Sequence, residues 1–154
     1  MHPEMAFRVE AEMREPVTVW LRGEGFDVCD ELPFLRWRAD LVGVRAGRVA
    51  AIELKLDHWR SALRQAVAYQ VAADWSWVAL PLRAAGRAYR ERWRFEAEGV
   101  GLLAVDDTGG VRVPLPARRS PRLLDFAQEA LAASAESVRG PLLFSIEETD
   151  LEAF

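Results

Sequence analysis

The chain has 154 residues, 51% hydrophobic and 29% charged, a balance that suits one folded domain with a single core and excludes a disordered chain. Its one cysteine, Cys29, rules out an internal disulfide, and no apolar run reaches membrane-spanning length, so a cytoplasmic protein without membrane contact is expected. A net charge of −4 argues against a uniformly basic nucleic-acid binder, yet Glu147, Glu148, Asp150 and Glu152 carry all of it, and residues 1–142 are neutral overall.

Along the chain, residues 8–22 set Met13, Val17, Trp20 and Leu21 on one helical stripe, closed by Gly23 and Gly25. Pro16 belongs in a first turn, so the regular helix is expected to begin near Glu12. Two strand-like stretches follow, FDVCDEL and LRWRADLVGVR, and Ala46-Gly47 turns the second back into RVAAIELKL as a hairpin. From Asp57, a natural N-cap, DHWRSALRQAVAYQVAADW has helical period. SWVALPL then reads as a buried strand reached by a crossover helix. Residues 83–98 form an arginine-rich helix, GVGLLAVDD and GVRVPLPA two strands around Thr108-Gly109-Gly110, and RLLDFAQEALAASAESV a final helix. The order α, three β, α, β, α, β, β, α predicts an α/β domain with a mixed central sheet and helices on both faces. It spans 1–142, and 143–154 is expected to be an acidic tail, solvated, folded over a basic surface or docked on a protein partner.

Charged residues are seldom left in strands without a reason. In the hairpin, Asp40 stands near the start of one strand and Glu53 and Lys55 near the end of its partner, so the two acids can meet across the pair. Side chains two apart share a face, which puts Glu53 beside Lys55 and sends Leu54 to the other layer. Of the 20 basic residues 19 are arginine, so Lys55 is the exception. A lysine is a compact charge whose proton affinity responds to its surroundings, as arginine's does not, and that difference matters in a reaction centre. Two carboxylates with the Leu54 carbonyl nearby offer the hard oxygen donors preferred by Mg²⁺ or Mn²⁺. The plainer alternative is an ion-paired strand end that contributes little.

Asp40, twelve intervening residues, Glu53-Leu54-Lys55 and then a helix bearing Gln65-Ala-Val-Ala-Tyr69 together resemble the PD-(D/E)xK nuclease superfamily and its RecB-type Gln-x-x-x-Tyr branch. The likeness covers residues 12–80, with Ala39 where the family has proline. It implies a restriction-endonuclease-like fold and metal-dependent hydrolysis of DNA in repair, recombination or defence. It further implies Asp40 and Glu53 as metal ligands, Lys55 as the group that orients or deprotonates the attacking water, and Gln65 as its positioner. A first-helix glutamate, Glu12 or Glu15, with Glu10 less well placed, would join the metal. A non-catalytic module binding nucleic acid or protein on the same fold is the alternative.

Arg87, Arg90 and Arg94, with Tyr69, are the candidate nucleic-acid contacts; Tyr89 and Trp93 offer stacking surfaces among the arginines. Arg118, Arg119 and Arg122 suit loop solvation as well as phosphate contact, and His58 suits a surface or capping role. One cysteine and two distant histidines exclude a structural zinc site, and no phosphate-binding glycine loop is present. With one site per chain, cutting both strands would be simplest for a homodimer.

Overall fold

The computed structural model describes residues 7–34 and 37–152, with side chains as far as Val138 except those of Phe34 and Trp37. A 3₁₀ turn at Glu10–Met13 leads into α1 (Arg14–Gly23), which places Pro16 in the first α-helical turn, where its missing N–H costs nothing. Then come β1 (Asp27–Phe34), β2 (Trp37–Arg45), β3 (Arg48–Leu54), α2 (Trp59–Tyr69), β4 (Trp75–Pro81), α3 (Leu82–Tyr89), α4 (Arg92–Glu98), β5 (Gly101–Val105), β6 (Val111–Leu115) and α5 (Asp125–Glu152).

The six strands lie in sequence order across one mixed sheet. β1–β2, β2–β3 and β5–β6 are antiparallel, whereas β3–β4 and β4–β5 are parallel and are joined by helical crossovers. The β2–β3 reversal uses Ala46 and Gly47 at φ 50° and 76°, the pair of positive angles that a two-residue hairpin turn demands. The mixed α/β sheet flanked by helices therefore agrees with the expectation from the sequence.

Alternation along β3 divides the core. Val49 and Ala51 pack under α5 with Ala127, Leu131 and Ala135, while Ala50, Ile52 and Leu54 pack under α1 with Met13, Val17 and Leu21. Farther across the sheet α2, α3 and α4 cover Val78, Leu80, Leu102 and Ala104, with the Trp59 and Phe95 rings 5.7 Å apart. Asp74, almost wholly buried, accepts bonds from the Val49 N–H at 2.8 Å and from Arg119 at 3.0 Å, tying the start of β3 to the loop before α5.

Three local expectations are corrected. The arginine-rich segment is two helices, broken where Glu91 (φ −118°, ψ 35°) leaves helical geometry and accepts bonds from both Arg60 and Arg94. Asp57 does not cap α2: that position falls to His58, whose left-handed backbone (φ 55°) carries no side-chain cap. Finally, α5 runs past Val138, and its backbone carries the acidic segment as far as Glu152. The side chains of Glu147, Glu148, Asp150 and Glu152, and all of His2, Ala153 and Phe154, lie outside the described residues.

Candidate active site

β2 and β3 part company at one end. Their last paired residues are Leu41 and Ile52, and the next step in that register would set Asp40 opposite Glu53. Asp40 is also skipped in the β1–β2 ladder, opposite Glu31, whose φ is 49°. Ala39 and Val42 both pack on the α5 side while Leu41 packs on the α1 side, so the alternation of β2 slips at Asp40. In place of a backbone carbonyl, the Asp40 Oδ2 accepts the Leu54 N–H at 2.7 Å. A carboxylate thus closes the end of the ladder. Because N–H and C=O of one strand residue point the same way, the Leu54 carbonyl also faces this opening. The Lys55 N–H turns the other way, to the Ala79 carbonyl of β4.

Glu53 is 6% exposed on the same face of β3. Burial, then the adjacent Asp40 charge, lifts its carboxyl to about 7, against the opposing pull of the Tyr69 hydroxyl and the Lys55 ammonium. Asp40 is also raised, first by burial, while the Leu54 N–H and the Arg14 charge lower it and the Glu10 charge adds to the rise. The two carboxyls are close enough to hydrogen-bond once one holds a proton, so they titrate as a pair. A proton shared between carboxylates occupies the place that a cation would take.

α2 supplies the wall of the site. Tyr69 is 2% exposed, and its hydroxyl donates to Glu53 Oε1 at 2.7 Å. Burial and the two carboxylates push that hydroxyl well above its usual range, so it stays a donor. The expectation that Tyr69 touches nucleic acid is therefore corrected: a buried ring bonded to Glu53 presents no surface to a strand. Gln65 lies one turn earlier on α2, and α2 runs back against β3. Gln65 therefore lies nearer than Tyr69 to the start of α2. Gln65 Oε1 is buried without a hydrogen-bond partner among the described residues.

The first-helix glutamates divide differently from expectation. Glu12 turns its carboxylate back on the chain entry, where Oε1 accepts the Arg8 and Val9 N–H groups at 2.7 and 2.9 Å. Glu15 is exposed. The acid whose charge reaches Asp40 is Glu10, and the cation that does so is Arg14, whose guanidinium also lies 3.7 Å from Asp30 and 3.8 Å from Glu31. The sequence alone does not single out Arg14, the first residue of α1; its place at the start of the helix that precedes the hairpin is the signal it offers. Arg87 pairs with Asp57 at 3.3 Å, Arg94 with Glu91 at 3.1 Å, and Arg90 is exposed.

Asp40, Glu53 and the Leu54 carbonyl are the groups that could hold a divalent ion. No set of three or more acidic, histidine or cysteine side chains gathers for that purpose among the described residues. Two carboxylates are nonetheless the protein share that Mg²⁺ commonly takes, with water completing its shell. Comparison with known proteins gives no match to any family model, curated protein or solved structure.

Proposed function

We propose that this protein is a metal-dependent nuclease of the restriction-endonuclease-like fold, hydrolysing DNA phosphodiester bonds with Mg²⁺ or Mn²⁺. The observation that supports it most is the pairing of Asp40 with Glu53 at the β2–β3 fork, beside Lys55 and under the Gln65–Tyr69 face of α2. Buried like charges are costly unless a counter-charge is supplied, and the site has a geometry in which a cation would relieve both acids.

In this reading Asp40 and Glu53 bind the ion and Tyr69 fixes the Glu53 carboxylate. Lys55, half-buried on the Glu53 face, hydrogen-bonds the attacking water and offsets charge on a phosphate oxygen. The Oε1 of Gln65, buried without a partner among the described residues, is the acceptor left open to position the attacking water. The bound ion supplies activation of water and charge neutralisation at phosphorus. Arg87, Arg90 and Arg94 approach the DNA backbone.

End-labelled single- and double-stranded DNA, incubated with Mg²⁺, Mn²⁺ or chelator, tests the proposal against the Glu53→Gln and Lys55→Ala variants. Wild type cuts only with the ion, and each variant is slower by roughly 10²–10⁴. Equal inertness of all three proteins across a broad substrate panel overturns the enzyme reading. Titration calorimetry with Mn²⁺ then decides what remains: a bound ion leaves a binding module on the same fold, and none removes the metal site as well.

A further inference from the structure

Two cavities adjoin along the outer side of α2. The first, 460 Å³, begins at Asp57 and His58, immediately beyond the Lys55 end of β3, and is lined by Arg60, Arg64 and Arg87. The second, 510 Å³, lies between α2 and α4 against Val67, Trp93 and Arg94. Arg64 belongs to both. Arg60, Arg64 and Ala68 follow one another at four-residue spacing, so the two cavities, sharing Arg64, follow about 12 Å of α2 from a start at Asp57, two residues beyond Lys55.

The two halves differ in chemistry. The upper half is cationic and sits at a helix start whose cap residue makes no side-chain bond. Its arginines are exposed; Arg87 pairs with the exposed Asp57, and Arg60 pairs with the half-exposed Glu91 while its guanidinium lies 4.3 Å from the Trp59 ring centre, and a phosphate can displace either carboxylate at little cost. Arg64 has no ion-pair partner among the described residues. The lower half is apolar, and Trp93 stands 62% exposed on its rim with the Arg94 guanidinium 4.6 Å from the ring centre. Cationic groups followed by an exposed indole are the two elements by which a single strand is held: phosphates on the first, a base stacked on the second.

We infer that this groove carries a single-stranded segment of a nucleic acid away from the carboxylate site, with a phosphate at Arg64 and a base on Trp93. The inference rests on the nuclease proposal for what the segment is attached to, but not for its own test. The occupant is nucleic acid rather than an apolar peptide because the groove opens at its site end through three arginines.

Fluorescence anisotropy of 5′-fluorescein dT12, in chelator so that no cutting occurs, measures binding to wild type, Arg64→Gln and Trp93→Ala; both altered side chains are exposed, so the fold is retained. Each variant binds about tenfold more weakly. Arg64→Gln also flattens the dependence of log K on log salt by about 0.7, the share of one single-strand phosphate, whereas Trp93→Ala leaves that slope unchanged. Affinity equal to wild type in both variants, or a wild type that does not bind dT12, overturns the groove. Binding that follows this pattern in a protein that never cuts upholds the groove while the nuclease proposal fails; cutting that neither variant slows, with unchanged binding, does the reverse.

Discussion

The Tyr69 hydroxyl donates to Glu53 Oε1 at 2.7 Å, joining the last turn of α2 to the end of β3 inside the core. A hydrogen bond to the ionised form of a carboxylate lowers its proton affinity, and this one opposes both burial and Asp40. Tyr69→Phe keeps the ring packing and removes the donor. The Glu53 carboxyl then holds its proton more tightly than about 7, and Mn²⁺ binding is displaced to higher pH than in wild type. Calorimetric Mn²⁺ titrations from pH 6 to 8 read this directly; identical pH profiles for the two proteins would show that the hydroxyl does not act on Glu53.

The raised Glu53 carboxyl also sets the sign of a stability effect. Its ordinary value is 4.5 and its folded value about 7, so the folded chain binds the proton more tightly than the unfolded chain does. That contribution is fully present below 4.5 and disappears as pH rises through about 7. Its size is of order 3 kcal/mol if the other groups of the site are unchanged. Urea midpoints without divalent ions should therefore fall between pH 5 and 8 in wild type and fall less in Glu53→Gln. Saturating Mg²⁺ at pH 8 should restore wild type, because it stabilises the ionised pair. Parallel profiles for wild type and Glu53→Gln are the contrary outcome.

Asp40 has two separable tasks, as a charge beside Glu53 and as the acceptor that closes the β2–β3 ladder on the Leu54 N–H. Asp40→Asn keeps an acceptor and removes the charge, so the Glu53 carboxyl moves down from about 7 while stability at pH 8 holds or rises. Asp40→Ala removes both and leaves the Leu54 N–H without its partner, at a cost of about 1–3 kcal/mol. Metal binding is lost in both variants. Urea unfolding at pH 8 separates them; equal destabilisation by Asn and Ala would mean that the charge alone matters.

Much of this arrangement was legible in spacing alone. The hairpin that returns the chain to Asp40 and the one-turn separation of Gln65 from Tyr69 are local periodicities, and each survives folding, whereas Lys55 lies one residue past the end of β3. What the spacing could not carry was the direction of side chains between elements. Tyr69 faces inward because α2 packs against β3, and Glu12 faces its own N-terminus because the Arg8 and Val9 N–H groups needed an acceptor. Arg14 and Glu10 act on Asp40 only through the docking of α1 behind the hairpin. Likewise, the break at Glu91 depends on Arg60, which is 31 positions away in sequence. The slip of β2 at Asp40, by which a side chain takes over a ladder bond, has no sequence signal of its own.

Gly101, at the start of β5, shows how tightly the far side of the sheet is built. A Cβ there would lie 2.3 Å from the Trp77 indole and 2.7 Å from the Ala117 backbone nitrogen. Trp77 cannot withdraw freely, because its ring meets Trp20 edge-on at 5.3 Å and thereby couples β4 to α1. Nor can Ala117 move as a flexible side chain would, since the close atom is main chain. Gly101→Ala should therefore cost about 1–3 kcal/mol or more, the range for overfilling a packed interior, and should lower the urea midpoint accordingly. Gly23→Ala, where an added Cβ meets nothing within 4 Å, is the matched control and should be neutral or slightly stabilising. Since Trp77 packs with the α1-side core and Glu53 faces the other side of the sheet, Mn²⁺ affinity per folded molecule should be the same in both variants. A Gly101→Ala protein as stable as wild type would mean that Trp77 has a second resting place.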